Sequence, residues 1–367
     1  MIYLDSGATS FHKPPVVAAA VQRAMRQCAN PGRGGYASAM EAARRVFRCR
    51  ETVGTMFGCE PEQVVFTSNC THGLNIAIRS LIKPGSRVIV SGFEHNAVVR
   101  PLYALGAQVS IAGRKLFDWE DTLTQWEEAL RRGQDAAVFT HVSNVFGYVL
   151  PVKQMAELCQ RYHVPFILDA AQSAGVFPVD LKELGASFIA MPGHKGLLGP
   201  QGTGILLCNA EVSPLMYGGT GSDSVNRGMP DYLPDRAEAG TLNVPGIAGL
   251  EAGIRYLQRV GLDTVRQREH REAQRCVKGL KRLGFSVFAG DHQGGTVSFV
   301  AGPDCEQVAQ SLGAHGIAVR AGLHCAPLAH ASAGTLDTGT VRISYGFDAN
   351  SRQTDRLLDV LGRVSNR

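Results

Sequence analysis

Two residues in this chain stand where their neighbours would permit chemistry. Asp169 closes the apolar run Phe166-Ile167-Leu168 and is followed by Ala170-Ala171-Gln172. A carboxylate at such a point can cap a helix, and it can equally hold a heterocyclic nitrogen in its protonated form. Lys195 lies in Met191-Pro192-Gly193-His194-Lys195-Gly196. An amine flanked by glycines and a histidine suits a Schiff base, because bare backbone lets a cofactor approach. The same motif also describes a solvated loop lysine. Neither G-x-G-x-x-G nor G-x-x-x-x-G-K-[ST] occurs, so dinucleotide and P-loop readings lose their main support.

Such groups need a frame, and the pattern around them supplies one. Short β-branched runs at 64–67, 87–91, 108–112, 137–141, 166–169, 187–191 and 204–208 read as strands. Helical spacing over 122–131 and 152–162 separates some of them, and a further helical stripe over 39–57 precedes them. Nearly continuous apolar strands alternating with helices predict an α/β fold with a mainly parallel seven-stranded sheet. In such sheets ligands bind beyond the carboxyl ends of the strands, where Asp169 and Lys195 fall. The stretch 218–245 is rich in Gly, Asp, Asn and Pro and reads as a long functional loop. One long helical pattern covers 246–283, and strands near 285–288, 295–300 and 340–345 with a last helix from Ser351 give a smaller α+β part. The expected division is a large domain over 15–245 and a small one over 246–367 joined by 1–14.

Composition narrows the class. The chain has 367 residues, a prior of roughly two domains, and 44% hydrophobic residues, which excludes disorder. Glycine is in excess at 42, where average usage near 7% predicts about 26. An excess of this kind marks tight turns or backbone passing close to a ligand. The net charge of +5 is small, and the arginines between 44 and 50 read as a solvated helix face, so no nucleic-acid partner is expected. Nine cysteines without a C-x-x-C pair argue for a reducing compartment and against a disulfide framework or a bound metal. With no run of 18 apolar residues and no leader before Met1–Asp5, the expectation is a cytoplasmic protein away from membranes.

Asp169 and Lys195, together with His95 in Phe-Glu-His-Asn-Ala, Asn144 in Thr-His-Val-Ser-Asn and Cys325 in Arg-Ala-Gly-Leu-His-Cys-Ala, resemble the cysteine desulfurases. These are pyridoxal-phosphate (PLP) enzymes of the class V aminotransferase group, and the likeness runs over essentially the whole chain. The Arg-x-Gly-x-His-Cys-Ala form is similar to the subgroup with a short cysteine loop, which includes selenocysteine lyase-like members. The resemblance implies PLP-dependent transferase fold type I. Lys195 would form the Schiff base and Asp169 would pair with the ring nitrogen. Gln172 and Asn144 would serve the phenolic oxygen, and His95 would stack on the ring and relay protons. Thr71, His72, His194 and, across a dimer interface, Thr241 would hold the phosphate. The family's hydroxyl residue two positions before that histidine is Pro192 here, which can donate nothing.

Cys325 sets the reaction type that the resemblance implies. As a thiolate it would take sulfur from cysteine, leaving alanine and an enzyme persulfide for an acceptor, with a protein among the candidates. Arg320 and His324 would supply the positive charge a thiolate needs. Arg342 would clamp the amino-acid carboxylate, with Arg320 and Arg33 also on the substrate side. A homodimeric desulfurase is the leading expectation. A selenocysteine lyase, an aminotransferase or lyase on another amino acid, and an idle scaffold are its rivals. Leu323, where short-loop members often carry another histidine, bears on the first of these.

Overall fold

A computed structural model describes residues 1–32, 34–302 and 304–364. From the N-terminus run β1 (Ile2–Tyr3), α1 (Pro15–Gln27), α2 (Ala37–Phe57), β2 (Val64–Thr67), α3 (Cys70–Leu81), β3 (Arg87–Ser91), α4 (Asn96–Ala104), β4 (Gln108–Ala112) and α5 (Trp119–Arg131). Then follow β5 (Ala136–Thr140), α6 (Val152–Arg161), β6 (Phe166–Asp169), α7 (Leu181–Leu184), β7 (Phe188–Pro192) and β8 (Gly204–Cys208). The remainder comprises α8 (Val244–Val260), α9 (Leu262–Arg282), β9 (Ser286–Phe288), β10 (Thr296–Val300), α10 (Cys305–Ala314), β11 (Ile317–Ala318), β12 (Arg320–Gly322), α11 (Pro327–Ala333), β13 (Thr340–Ser344) and α12 (Ser351–Val364).

The large sheet has seven strands in the order β2-β8-β7-β6-β5-β3-β4. Only β8 runs against the others, pairing antiparallel with β2 and β7. Successive residues of β5 serve opposite faces: Ala137 and Phe139 join the core that contains Trp126 and Phe166, while Ala136 and Val138 join the one that contains Leu74 and Ile76. That two-sided burial is what the unbroken apolar strands require. The second sheet is four-stranded and antiparallel, in the order β12-β13-β10-β9, and its core adds Leu4 from the N-terminus and Leu357 from α12.

Two expectations change. The pattern over 246–283 is two helices, because Gly261 at φ +86° closes α8 through its N–H to Leu257 and opens α9. The arginines between 44 and 50 are not all solvated. Arg50 is buried, pairs with Glu238 at 2.6 Å and lies over the Phe66 ring. The buried Ile247, Leu250 and Ile254 of α8 belong to the large-sheet core.

Candidate active site

The carboxyl ends of the parallel strands converge on one cleft. Asp169 ends β6, and His194-Lys195 follow β7. His95 caps α4 after β3, Asn144 follows β5, and Cys70-Thr71 open α3 after β2. Asn69, Thr71, His95, Asn144, Asp169, Gln172, Pro192, His194 and Lys195 line one pocket there, a concave setting of the kind in which small molecules bind. The cleft therefore gathers most of the residues proposed from sequence.

Asp169 is buried, and its Oδ1 accepts from Ala171 N–H at 2.9 Å and from Cys70 Sγ at 3.5 Å. Burial raises its pKa, against the pull of those donors and of Lys195. Burial also lowers that of Lys195, favouring the free amine. The Lys195 amine has no hydrogen-bond partner among the described residues. Its segment is held from the N-terminus of the chain: the His194 carbonyl accepts from Ser10 N–H at 3.0 Å, Ser10 Oγ at 2.9 Å, Thr9 Oγ1 at 3.1 Å and Lys13 Nζ at 3.2 Å. The flanking glycines serve protein packing. A Cβ on Gly193 would meet Thr203 Oγ1 at 2.1 Å, and one on Gly196 would meet the Ala174 carbonyl at 2.3 Å.

His95 is neutral at pH 7, its pKa pushed down to about 4 by burial first and nearby cations second. Its Nδ1 accepts from Ala97 N–H at 3.0 Å, which leaves Nε2 to carry the proton. Behind it Glu94 is fully buried, bonded to Ser91 Oγ and to Thr140 N–H, with Oε2 unpartnered. Burial raises its pKa to about 8.

Cys325 is the exposed member of nine free cysteines. It sits with His324 in a tight turn closed by Ala326 N–H to the Leu323 carbonyl at 2.9 Å. Both central residues are left-handed, at φ +50° and +57°, as in a type I′ turn. The strand-end residues pin this turn. Asn96 N–H donates to the Cys325 carbonyl at 2.8 Å, and Asn144 Nδ2 donates to the His324 carbonyl at 2.8 Å. His324 does not supply a charge to the thiol: it is buried, its Nε2 donates to the Thr340 carbonyl at 3.1 Å, and burial pushes its pKa down to about 2.

Arg342 is buried on β13 directly across from Arg320 on β12. Like charges placed opposite each other are unfavourable unless an anion lies with them. Arg342 answers in part by pairing with Asp5 and donating to the Asn144 carbonyl at 3.0 Å. Its Nε is buried without a partner among the described residues. A carboxylate brought to this pair would complete the set.

The aminotransferase class-V family model matches residues 2–357. This chain belongs to that family. Two curated relatives are the probable cysteine desulfurases of Methanothermobacter thermautotrophicus and Pyrococcus abyssi. They are 33% and 31% identical, with 99% and 98% of this chain and 94% and 93% of the relative covered. The apo structure of a cysteine desulfurase from Thermococcus onnurineus superposes with a TM-score of 0.91 at 30% identity, over 100% of this chain and 94% of that one. The class-V fold, PLP fold type I, is thus the one built here.

PLP, the cofactor of this class-V group, fits the residues present. Among the described residues Asp169 Oδ2 meets no protein donor and the Lys195 amine is unpaired, and the backbone N–H groups of Cys70 and Thr71 open α3, as an anion site requires. His72 fits less well. Its N–H is taken by the cap residue Asn69 at 2.8 Å, and its ring lines a neighbouring pocket with Ser68 and Thr241. Thr241 lines that neighbouring pocket and not the Lys195 cleft, and Arg33 lies outside the described residues. Gln172 lines the cleft and donates to the Gly7 carbonyl at 3.0 Å. Sequence reasoning missed Thr9, Ser10 and Lys13, Glu94, and the Asn96 N–H. For the last two the adjacent His95 was the available signal. Nothing in sequence ties residues 9–13 to residue 194.

Proposed function

We propose that this chain is a PLP-dependent cysteine desulfurase, converting L-cysteine to L-alanine with a persulfide on Cys325 that passes to an acceptor. The observation that carries the reading is the exposed Cys325 turn, bonded through Asn96 to the helix that His95 caps and through Asn144 to the segment after β5 in the Lys195 cleft. Lys195, Asp169, Gln172, His194 and Thr71 would hold the cofactor, which supplies an electron sink for charge developing at the substrate Cα. Arg342 and Arg320 would bind the carboxylate, fixing the substrate by one end. Lys195 Nζ, shifted by burial toward the free amine, would take the Cα proton. The Cys325 thiolate would then form an S–S bond to the substrate sulfur. The Cβ–S bond breaks as it does so, its electron pair stays with carbon, a proton is delivered to Cβ, and return of the Cα proton from Lys195 completes alanine.

We infer a homodimer, in which Thr241 would reach the partner's phosphate site. Exposed Met40 and Phe47 beside that pocket support the same reading. Nine free cysteines fit a cytoplasmic setting, and among the described residues no helix is long and apolar enough to cross a membrane. We place the passage from the large to the small domain within α9, where Ala273 and Cys276 enter the small-sheet core. The deciding experiment quantifies alanine with L-cysteine and L-selenocysteine offered side by side. Alanine from cysteine that disappears in Cys325→Ala is expected. Sulfide release at the parent rate by that variant would refute the persulfide route, and turnover confined to selenocysteine would turn the assignment to a lyase.

A further inference from the structure

Cys70, which the mechanism above does not use as a side chain, touches the group that would set the cofactor's electronics. It is the first residue of α3, buried, and part of the wall of the Lys195 cleft. Its Sγ lies 3.5 Å from Asp169 Oδ1, the oxygen that also accepts from Ala171 N–H. Asp169 ends β6 and Cys70 follows β2, so the contact ties two separate strand ends together.

A carboxylate held by one backbone donor two residues along its own chain can still rotate about its terminal torsion, which is broad for aspartate. A second donor from a different element fixes which oxygen is occupied. We propose that Cys70 is a positioning residue: its S–H donates to Asp169 Oδ1 and, with Ala171 N–H, leaves Oδ2 to face the ring nitrogen of PLP. The inference rests on the PLP reading above. Burial and the Asp169 charge push the Cys70 pKa well up, so the thiol keeps its proton and acts as a donor. That separates it from Cys325: the cleft thiol is kept protonated, while the thiol that must carry sulfur stands in solvent.

The competing explanation is packing, since Cys70 also belongs to the core that holds Val65 and Leu74. The two make opposite demands on substitution. Valine keeps the volume and loses the donor, whereas serine keeps a donor and puts a hydroxyl in an apolar wall. Purified full-length holoenzyme and its Cys70→Ser, Cys70→Val and Cys70→Ala variants would be diluted, and loss of visible cofactor absorbance followed, with thermal melting as the control for folding. Positioning predicts release within about twofold of the parent for serine and about tenfold faster for valine and alanine, the range for one hydrogen bond to a charged group. Valine matching the parent while serine sheds its cofactor would overturn the proposal, even if alanine fails to fold. Equal release in all forms would overturn positioning alone. A parent protein with no visible cofactor band would overturn the PLP reading and this inference with it.

Discussion

The two residues proposed to react, Lys195 and Cys325, are held by opposite means. Lys195 lies inside the cleft, its segment fastened through the His194 carbonyl to Thr9, Ser10 and Lys13, and its amine shifted toward the free form by lost hydration. Cys325 is exposed on a left-handed turn, and its carbonyl and that of His324 are gripped by Asn96 and Asn144. The difference follows from charge. Burial disfavours the charged form, which makes a free amine and would unmake a thiolate. The buried thiols here show the second half of that rule: desolvation pushes Cys59, Cys159 and Cys276 up to about 12. A thiol that must ionise and hand on sulfur has to stay in water, so its position is fixed through backbone.

Removing each residue separates the two halves. Lys195→Ala is expected to abolish the visible cofactor band and lower alanine formation by about 10³-fold or more. Cys325→Ala is expected to keep the band and lower sulfur release by about 10²-fold, measured as sulfide after reduction. Loss of the band in Cys325→Ala would mean that the turn and the enclosed site are one unit. The enclosed half should also govern the pH dependence of stability. Glu94 has a folded pKa of about 8 against an ordinary 4.5, so the stability of its protonated form is full below the lower value and is lost as pH rises through the higher one. Glu94→Gln should therefore flatten the stability profile, read by denaturant titration, between roughly pH 5 and 8, by an amount on the order of a few kcal/mol. Cys325→Ala should leave that profile unchanged. A smaller effect, about 1 kcal/mol, is expected for Asn144→Ala. It frees the His324 carbonyl and should lower kcat/KM for cysteine by about fivefold, with the cofactor band intact.

The enclosed half was the more legible in sequence. Strands buried on both faces write themselves as unbroken apolar runs, so their carboxyl ends, and Asp169 and Lys195 with them, could be located to within about a residue. The glycines beside Lys195 were visible but served a different purpose. Gly193 and Gly196 clear Thr203 and the Ala174 carbonyl, long-range contacts that no local pattern encodes. The turn was less legible for the same reason. Left-handed backbone usually announces itself as Gly or Asn, yet here His324 and Cys325 adopt it because bonds from distant residues impose it. His324 was expected to be a charge donor because it adjoins Cys325; its burial against Thr340 depends on β13, sixteen residues further along.

The smallest effect tests whether the turn is under strain. A side chain in the left-handed region costs roughly 1–2 kcal/mol, a penalty glycine escapes. Cys325 is at φ +57° and its side chain is exposed, so replacing it removes little packing. Cys325→Gly should therefore be more stable than Cys325→Ala by about 1 kcal/mol, measured by denaturant titration, although glycine also loosens the unfolded chain and offsets part of the gain. Equal stability of the two would show that the grip of Asn96 and Asn144 meets no resistance. Adding Asn144→Ala to both should then sharpen the result. Without its hydrogen bond the alanine variant can relax out of the left-handed region, and the advantage of glycine should shrink. An advantage that stays the same would mean that the turn keeps its shape by itself, and that the strand ends only receive it.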